Sequence, residues 1–246
     1  MKVGTKKILF LVMIFSLATV ISGCKSQKTI KKNVQGLINF YDKTPLLEKF
    51  ASEENRNSSL SNSRTVKNKE EDTYTVLYLK YYPEEAKFYG EYIKKEIIQD
   101  TGVEEVSETR VMLDKEGYHV KEGQVLTEEI KNFKFMFEEV DLSEEYLKSI
   151  ELTKAVYGFE IPDYSMEYKL TKKNKDIENY LERLGSNFNG LDGELYFNVS
   201  ARSSNGGTVR FYVDEKREEQ IFESISYSGG NENNYKEEFH GEEVTE

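Results

Sequence analysis

Residues 194–213 read Glu194-Leu-Tyr-Phe-Asn-Val-Ser-Ala-Arg-Ser-Ser-Asn-Gly-Gly-Thr-Val-Arg-Phe-Tyr-Val213. Leu195, Phe197, Val199 and Ala201 alternate with Glu194, Tyr196, Asn198 and Ser200. After the Gly-rich turn, Val209, Phe211 and Val213 alternate with Arg210, Tyr212 and Asp214. A period of two on both sides of a Ser/Asn/Gly turn specifies an antiparallel hairpin with one dry and one wet face. Ile221 to Tyr227, after the charged turn Asp214-Glu-Lys-Arg-Glu218, adds a third strand to this meander.

Upstream, Tyr164, Met166, Tyr168 and Leu170 alternate with Ser165, Glu167, Lys169 and Thr171, a further one-sided strand. Asn174 caps a helix whose Ile177, Tyr180, Leu181 and Leu184 recur at helical spacing, and Gly185 stops it. Thr127 caps a helix expected to run through about residue 132, after which Phe133, Phe135 and Phe137 fit either a continued helix or a strand. Ser143 opens another helix with Tyr146, Leu147 and Ile150 inward, and Pro162 ends the connection that follows.

In the first half, helices are expected near 29–42 and 45–51, and residues 52–72, almost devoid of large apolar groups, read as a long loop. Thr73 to Tyr82 is a strand with apolar groups on both faces. Phe88 to Ile98 carries both periods, and its aromatic content favours a strand with a helix as the alternative. Glu108–Leu113 and Tyr118–Lys121 form a hairpin around Gly117.

The fold class is therefore α+β: antiparallel meanders with helices packed on one face. Both halves, 33–125 and 126–228, read as helix followed by a three-strand meander. That order is compatible with two similar α+β subdomains, although no residue spacing repeats cleanly. The Asn- and Glu-rich tail, 229–246, reads as disordered.

The N-terminus carries an address. Lys2, Lys6 and Lys7 precede fourteen uncharged residues, Ile8 to Ile21, and Ile21-Ser22-Gly23-Cys24 ends on the chain's single cysteine. This is the layout of a secretory signal peptide over residues 1–23, too short for a comfortable membrane span. It resembles a bacterial lipobox, with Cys24 as the lipidated residue and residues 24–32 as a tether. A cut before Cys24 leaves 223 residues with 31 bases against 45 acids, a net charge of −14. So acidic a body is repelled from anionic lipid and from phosphates, which argues against a nucleic-acid partner.

The lipobox, Glu128-Glu-Ile-Lys-Asn-Phe-Lys-Phe135, Pro162-Asp-Tyr-Ser-Met-Glu-Tyr-Lys-Leu170, the helix from Asp176 to Leu184 and the ending Val213 to Ile225 occur in an order that resembles the staphylococcal tandem-type lipoproteins. The resemblance covers most of residues 1–227 and is strongest after residue 125. It implies a palmitate-bearing protein anchored on the outer face of a Gram-positive cell membrane, concerned with host interaction rather than catalysis. The chain departs from the family at Leu191-Asp-Gly-Glu-Leu195, where relatives carry a Gly- and Lys-rich stretch, and in its acidic body.

The material for chemistry is thin. His119 falls in a hairpin and His240 in the tail, poor components for a nucleophilic triad. There is no Gly-rich phosphate loop and no His-Glu-x-x-His. The acid run Glu138-Glu-Val-Asp-Leu-Ser-Glu-Glu145 reads as a solvated helix cap before it reads as a calcium site. No catalytic residue, cofactor or metal is expected. The expected function is non-enzymatic: a sheet surface presented to a host or envelope macromolecule, with Tyr196, Arg210 and Tyr212 on the wet face as candidate contacts. The alternative is a solute-binding lipoprotein serving a transporter.

Overall fold

The computed structural model describes residues 27–51, 58–102, 104–158, 160, 162–186, 188, 190–201, 206–213, 218–226 and 235–241. The signal segment, Cys24 and the start of the tether lie outside the described residues. Among the described residues there are ten strands: β1 (Ser59–Lys67), β2 (Glu71–Tyr82), β3 (Lys87–Ile98), β4 (Glu104–Asp114), β5 (Gly117–Val120), β6 (Glu151–Gly158), β7 (Asp163–Lys169), β8 (Glu194–Ser200), β9 (Gly206–Tyr212) and β10 (Glu219–Ser226). They form one antiparallel sheet in the order β5-β4-β3-β2-β1-β10-β9-β8-β7-β6. The first half of the chain builds outward from the middle, the second builds inward from the far edge, and β1 meets β10 at the centre with Asn62 opposite Glu223.

One face of the sheet carries the helices α1 (27–39), α2 (Leu46–Ala51), α3 (Glu128–Lys131), α4 (Met136–Glu139), α5 (Glu144–Ser149) and α6 (Lys175–Arg183). Their apolar stripes meet the inward residues of the strands in one core. Val34, Leu46, Phe50, Phe137 and Ile177 pack with Leu79, Phe88, Val111, Leu195, Phe197 and Phe211, all at most 1% exposed. Within β8 and β9 the expected alternation holds, with Leu195, Phe197, Val209 and Phe211 turned into this core, whereas Ala201 is exposed and the turn at 202–205 lies outside the described residues. Caps fall where the side chains indicate. Asn174 accepts from the amides of Asp176 and Ile177, Thr127 from Ile130 and Ser143 from Tyr146. Gly117 and Gly185 take the positive φ values, +115° and +70°, that their turn and helix end require.

Several expectations are overturned. The expected loop 52–72 contains β1 and the first residues of β2, and β1 is a central strand. Its polar residues suit it to that place, because Asn62 is buried against a carboxylate and Ser61 and Ser63 lie on the half-exposed reverse face. Residues 87–98 are strand throughout, and the helical alternative fails because Phe88 and Tyr92 face the core while Tyr89 faces the opposite side. Phe135 neither continues a helix nor enters a strand but precedes the single turn α4. The meanders have five strands each rather than three, β6 being an edge strand with a bulge at Leu152/Lys154 and mostly exposed side chains. The helices do not all lie on one face. α7 (Tyr235–His240), inside the tail expected to be disordered, packs on the reverse face through Tyr235 and Phe239 against Tyr78, Tyr82, Tyr89 and Met112.

Candidate functional site

Among the described residues, two places bear on the candidate function: a buried carboxylate at the seam of the sheet, and the half-exposed reverse face of the second meander.

Glu223 projects from β10 into the helix-covered side between Ile221 and Ile225 and is 1% exposed. Four donors converge on it. Tyr41 Oη donates to Oε1 at 2.9 Å, Asn62 Nδ2 donates to Oε2 at 2.8 Å, and the amides of Phe137 (3.3 Å) and Met136 complete the set. Burial, the largest influence, lifts its pKa to about 7 against the opposing pull of these donors. The group thus fastens α4 and the end of α1 to both central strands. Glu138 repeats the device at the neighbouring turn, accepting from the amides of Leu46 (2.9 Å) and Phe135 (3.0 Å).

On the reverse face the register sets Tyr196 opposite Arg210, Arg210 opposite Phe222 and Phe222 opposite Ser63. Arg210 Nη1 donates to Tyr212 Oη at 3.0 Å, and its guanidinium lies 5.3 Å from the Phe222 ring centroid and 5.9 Å from that of Tyr212. Asn198 Nδ2 contacts Tyr196 Oη at 3.4 Å and donates to Asp163. Tyr196, Arg210, Tyr212 and Phe222 remain half-exposed. The three residues singled out from the sequence are thus brought together. Phe222, which completes the stack, was missed although its place in the alternation of β10 marked it for this face.

The remaining candidates serve the fold. His119 Nε2 lies 3.0 Å from Asp114 Oδ1 beside the β4–β5 turn. Asp114, Glu116 and His119 place three ligand atoms within 4.8 Å of one another, but the Asp114 carboxylate is already engaged by His119 and by the Glu116 amide. Although burial pushes Asp114 upward, those hydrogen bonds outweigh it and hold the carboxyl below its ordinary range. His240 lies against Tyr89, with Nε2 3.5 Å from Tyr89 Oη. The acid run does not converge. Glu138 is taken up by the two amides already described, Glu139 pairs with Arg183 at 2.8 Å, and Glu144 pairs with Lys31 and Lys148 at 3.1 Å.

No protein-family model matches the chain, and no curated protein matches it. Among the described residues, no helix is long and apolar enough to cross a membrane.

Proposed function

We propose that the protein is a non-enzymatic protein lipid-anchored through Cys24 to the extracellular face of the cell membrane, which engages a macromolecular partner with the half-exposed reverse face of β8, β9 and β10. The observation that carries this reading is the Tyr196-Arg210-Phe222 row with Tyr212 beside it. Aromatic and guanidinium groups supply large contact area at low entropic cost, and these are pre-ordered by stacking and by the sheet register. The host side of the reading rests on the resemblance to the tandem-type lipoproteins.

The test replaces Tyr196, Arg210 and Tyr212 together with alanine. Half-exposed positions and cross-strand pairs contribute about 0.5 kcal/mol each, so the variant should lose about 1–2 kcal/mol and still melt cooperatively. Binding of the labelled protein to mammalian cells, read by flow cytometry, should fall severalfold. Undiminished binding with normal melting would remove this face from consideration.

A further inference from the structure

The register orders a row of side chains across the reverse face of β6 to β10. Lys154 stands opposite Glu167, Glu167 opposite Tyr196, Tyr196 opposite Arg210 and Arg210 opposite Phe222. Their chain neighbours Met166, Leu195, Phe211 and Ile221 are the buried ones, so this row points away from the core. α7, which packs on the same side of the sheet, lies over β2, β3 and β4 instead.

Two charges in the row have no counter-ion among the described residues. Arg64, Arg110 and Arg183 each hold a carboxylate. Arg210 instead donates to Tyr212 and stacks on Phe222. Glu167 makes no ion pair, although Lys154 stands across from it. In a chain with 45 acidic residues, Arg210 thus presents a fixed guanidinium that an external carboxylate can meet.

The row is its own complement. A two-fold axis along the strands, passing over Tyr196, turns a second copy face down and reverses the order. Arg210 then faces Glu167 of the second copy, Phe222 faces Lys154 of the second copy, and each contact occurs twice. Centring the axis on Arg210 or on Glu167 would bring like charges together. In one flanking row Thr208 meets Ser165, and Asn198 meets its own copy. In the other, Lys169 meets Tyr212, and Glu194 meets its own copy at the first residue of β8, where solvent and salt screen the repulsion.

This operation preserves strand direction, so corresponding ends of the two copies lie side by side. α1 runs from the end of the sheet at Leu152 and Tyr168, which share a cleft with Lys31 and Gln35, to the other end at Gly207, where Leu37 lies. The chain leading back to Cys24 therefore leaves both copies at one end, as two proteins anchored in one membrane require. Five strands of seven or eight residues, at ~3.4 Å rise and ~4.8 Å spacing, offer about 600 Å² per copy, or about 1,200 Å² in all, the lower bound for a specific interface.

We propose that two copies of the protein associate through the reverse faces of β6 to β10, with Arg210 and Glu167 forming two symmetric ion pairs around Tyr196. The inference rests on the reading of this face as an interface and deepens it by naming a second copy as the occupant.

The experiment uses the full chain in density-matched detergent, followed by sedimentation equilibrium up to about 100 µM, a range that detects weak association. The parent should reach a dimer. Arg210→Glu and Glu167→Arg each set like charges against one another at both contacts and should raise the Kd about tenfold or more. Mixed in equal amounts, the two variants should form a heterodimer of near-parental affinity, because each contact across it again joins opposite charges. A folding defect cannot produce that rescue. Should Arg210→Glu fail to melt cooperatively, Glu167→Arg alone, whose parent side chain makes no ion pair, should still weaken association to the same degree. The proposal is overturned by a parent that stays monomeric, by a folded variant that dimerises like the parent, or by a mixture of two folded variants that stays apart. A monomeric parent, together with loss of cell binding by the triple-alanine protein, would reject the second copy and leave the face as an interface for another partner.

Discussion

Glu223 is a carboxylate placed where four donors require an acceptor and where burial penalises charge, and the two demands set a pH dependence. Its folded pKa, about 7, lies above the ordinary carboxylate value of 4.5. The folded state therefore holds a proton that the unfolded state has released, and stability falls as pH rises from about 4.5 through 7. A displacement of this size corresponds to a change on the order of 3 kcal/mol across that window. Glu138, also pushed upward by burial, acts in the same direction, whereas Asp42 and Asp114, with lowered values, act in the opposite one. The contribution of Glu223 is isolated by comparison with Glu223→Gln. Urea midpoints at pH 5 and pH 8 should separate widely in the parent and much less in the variant, which also loses stability at pH 5 because its amide NH₂ faces donors. Equal pH sensitivity in both proteins would contradict this account.

At the scale of elements, α7 offers a sharp test. Tyr235 is 1% exposed and donates to Glu91 at 3.1 Å, while Arg110 pairs with Glu91, Glu108 and Glu238, and Lys236 with Glu85. Tyr235→Ala removes the anchor of this helix and should cost about 3–5 kcal/mol, the range for truncating a buried aromatic. The loss should be accompanied by faster hydrogen exchange in β3 and β4, over which the helix lies. Unchanged exchange there would mean that α7 adds nothing to the fold. That this helix escapes a sequence reading has a physical cause. Its six residues, Tyr235-Lys-Glu-Glu-Phe-His240, carry only two large apolar side chains amid charge, and they are recruited by an aromatic patch distant in sequence. β1 is hidden for a related reason. Ser59-Leu-Ser-Asn-Ser-Arg-Thr-Val-Lys67 has the composition of a loop, and its central place becomes intelligible only once Glu223 is known to lie opposite Asn62. By contrast β8, β9 and α6 bury their own periodic stripe, so the pattern alone sufficed. The candidate face on β8 and β9 was legible for that reason, whereas Glu223 was signalled only by a charge in phase with Ile221 and Ile225.

For the whole molecule, the proposed anchor makes a simple demand. A body carrying a charge of −14 after cleavage has no electrostatic reason to remain on anionic lipid, so retention would fall to the acyl chains, each buried CH₂ contributing about 0.8 kcal/mol. Cys24→Ala should therefore move the protein from the detergent phase to the aqueous phase on temperature-induced phase separation. Mass spectrometry of the N-terminal peptide should find a diacylglycerol adduct in the parent only. An unmodified Cys24 in parent protein taken from its native membrane would refute the anchor. The seam between β1 and β10 carries a different kind of consequence, one of timing. Asn62 and Glu223 stand 161 positions apart, so the strand that begins the sheet waits for its last neighbour until those intervening positions have been synthesised. Through that interval β1 offers a row of unanswered amides and carbonyls on its open side. Two nascent copies held close together could trade C-terminal halves across this seam, each closing the other's sheet with the hydrogen bonds it would otherwise make with itself.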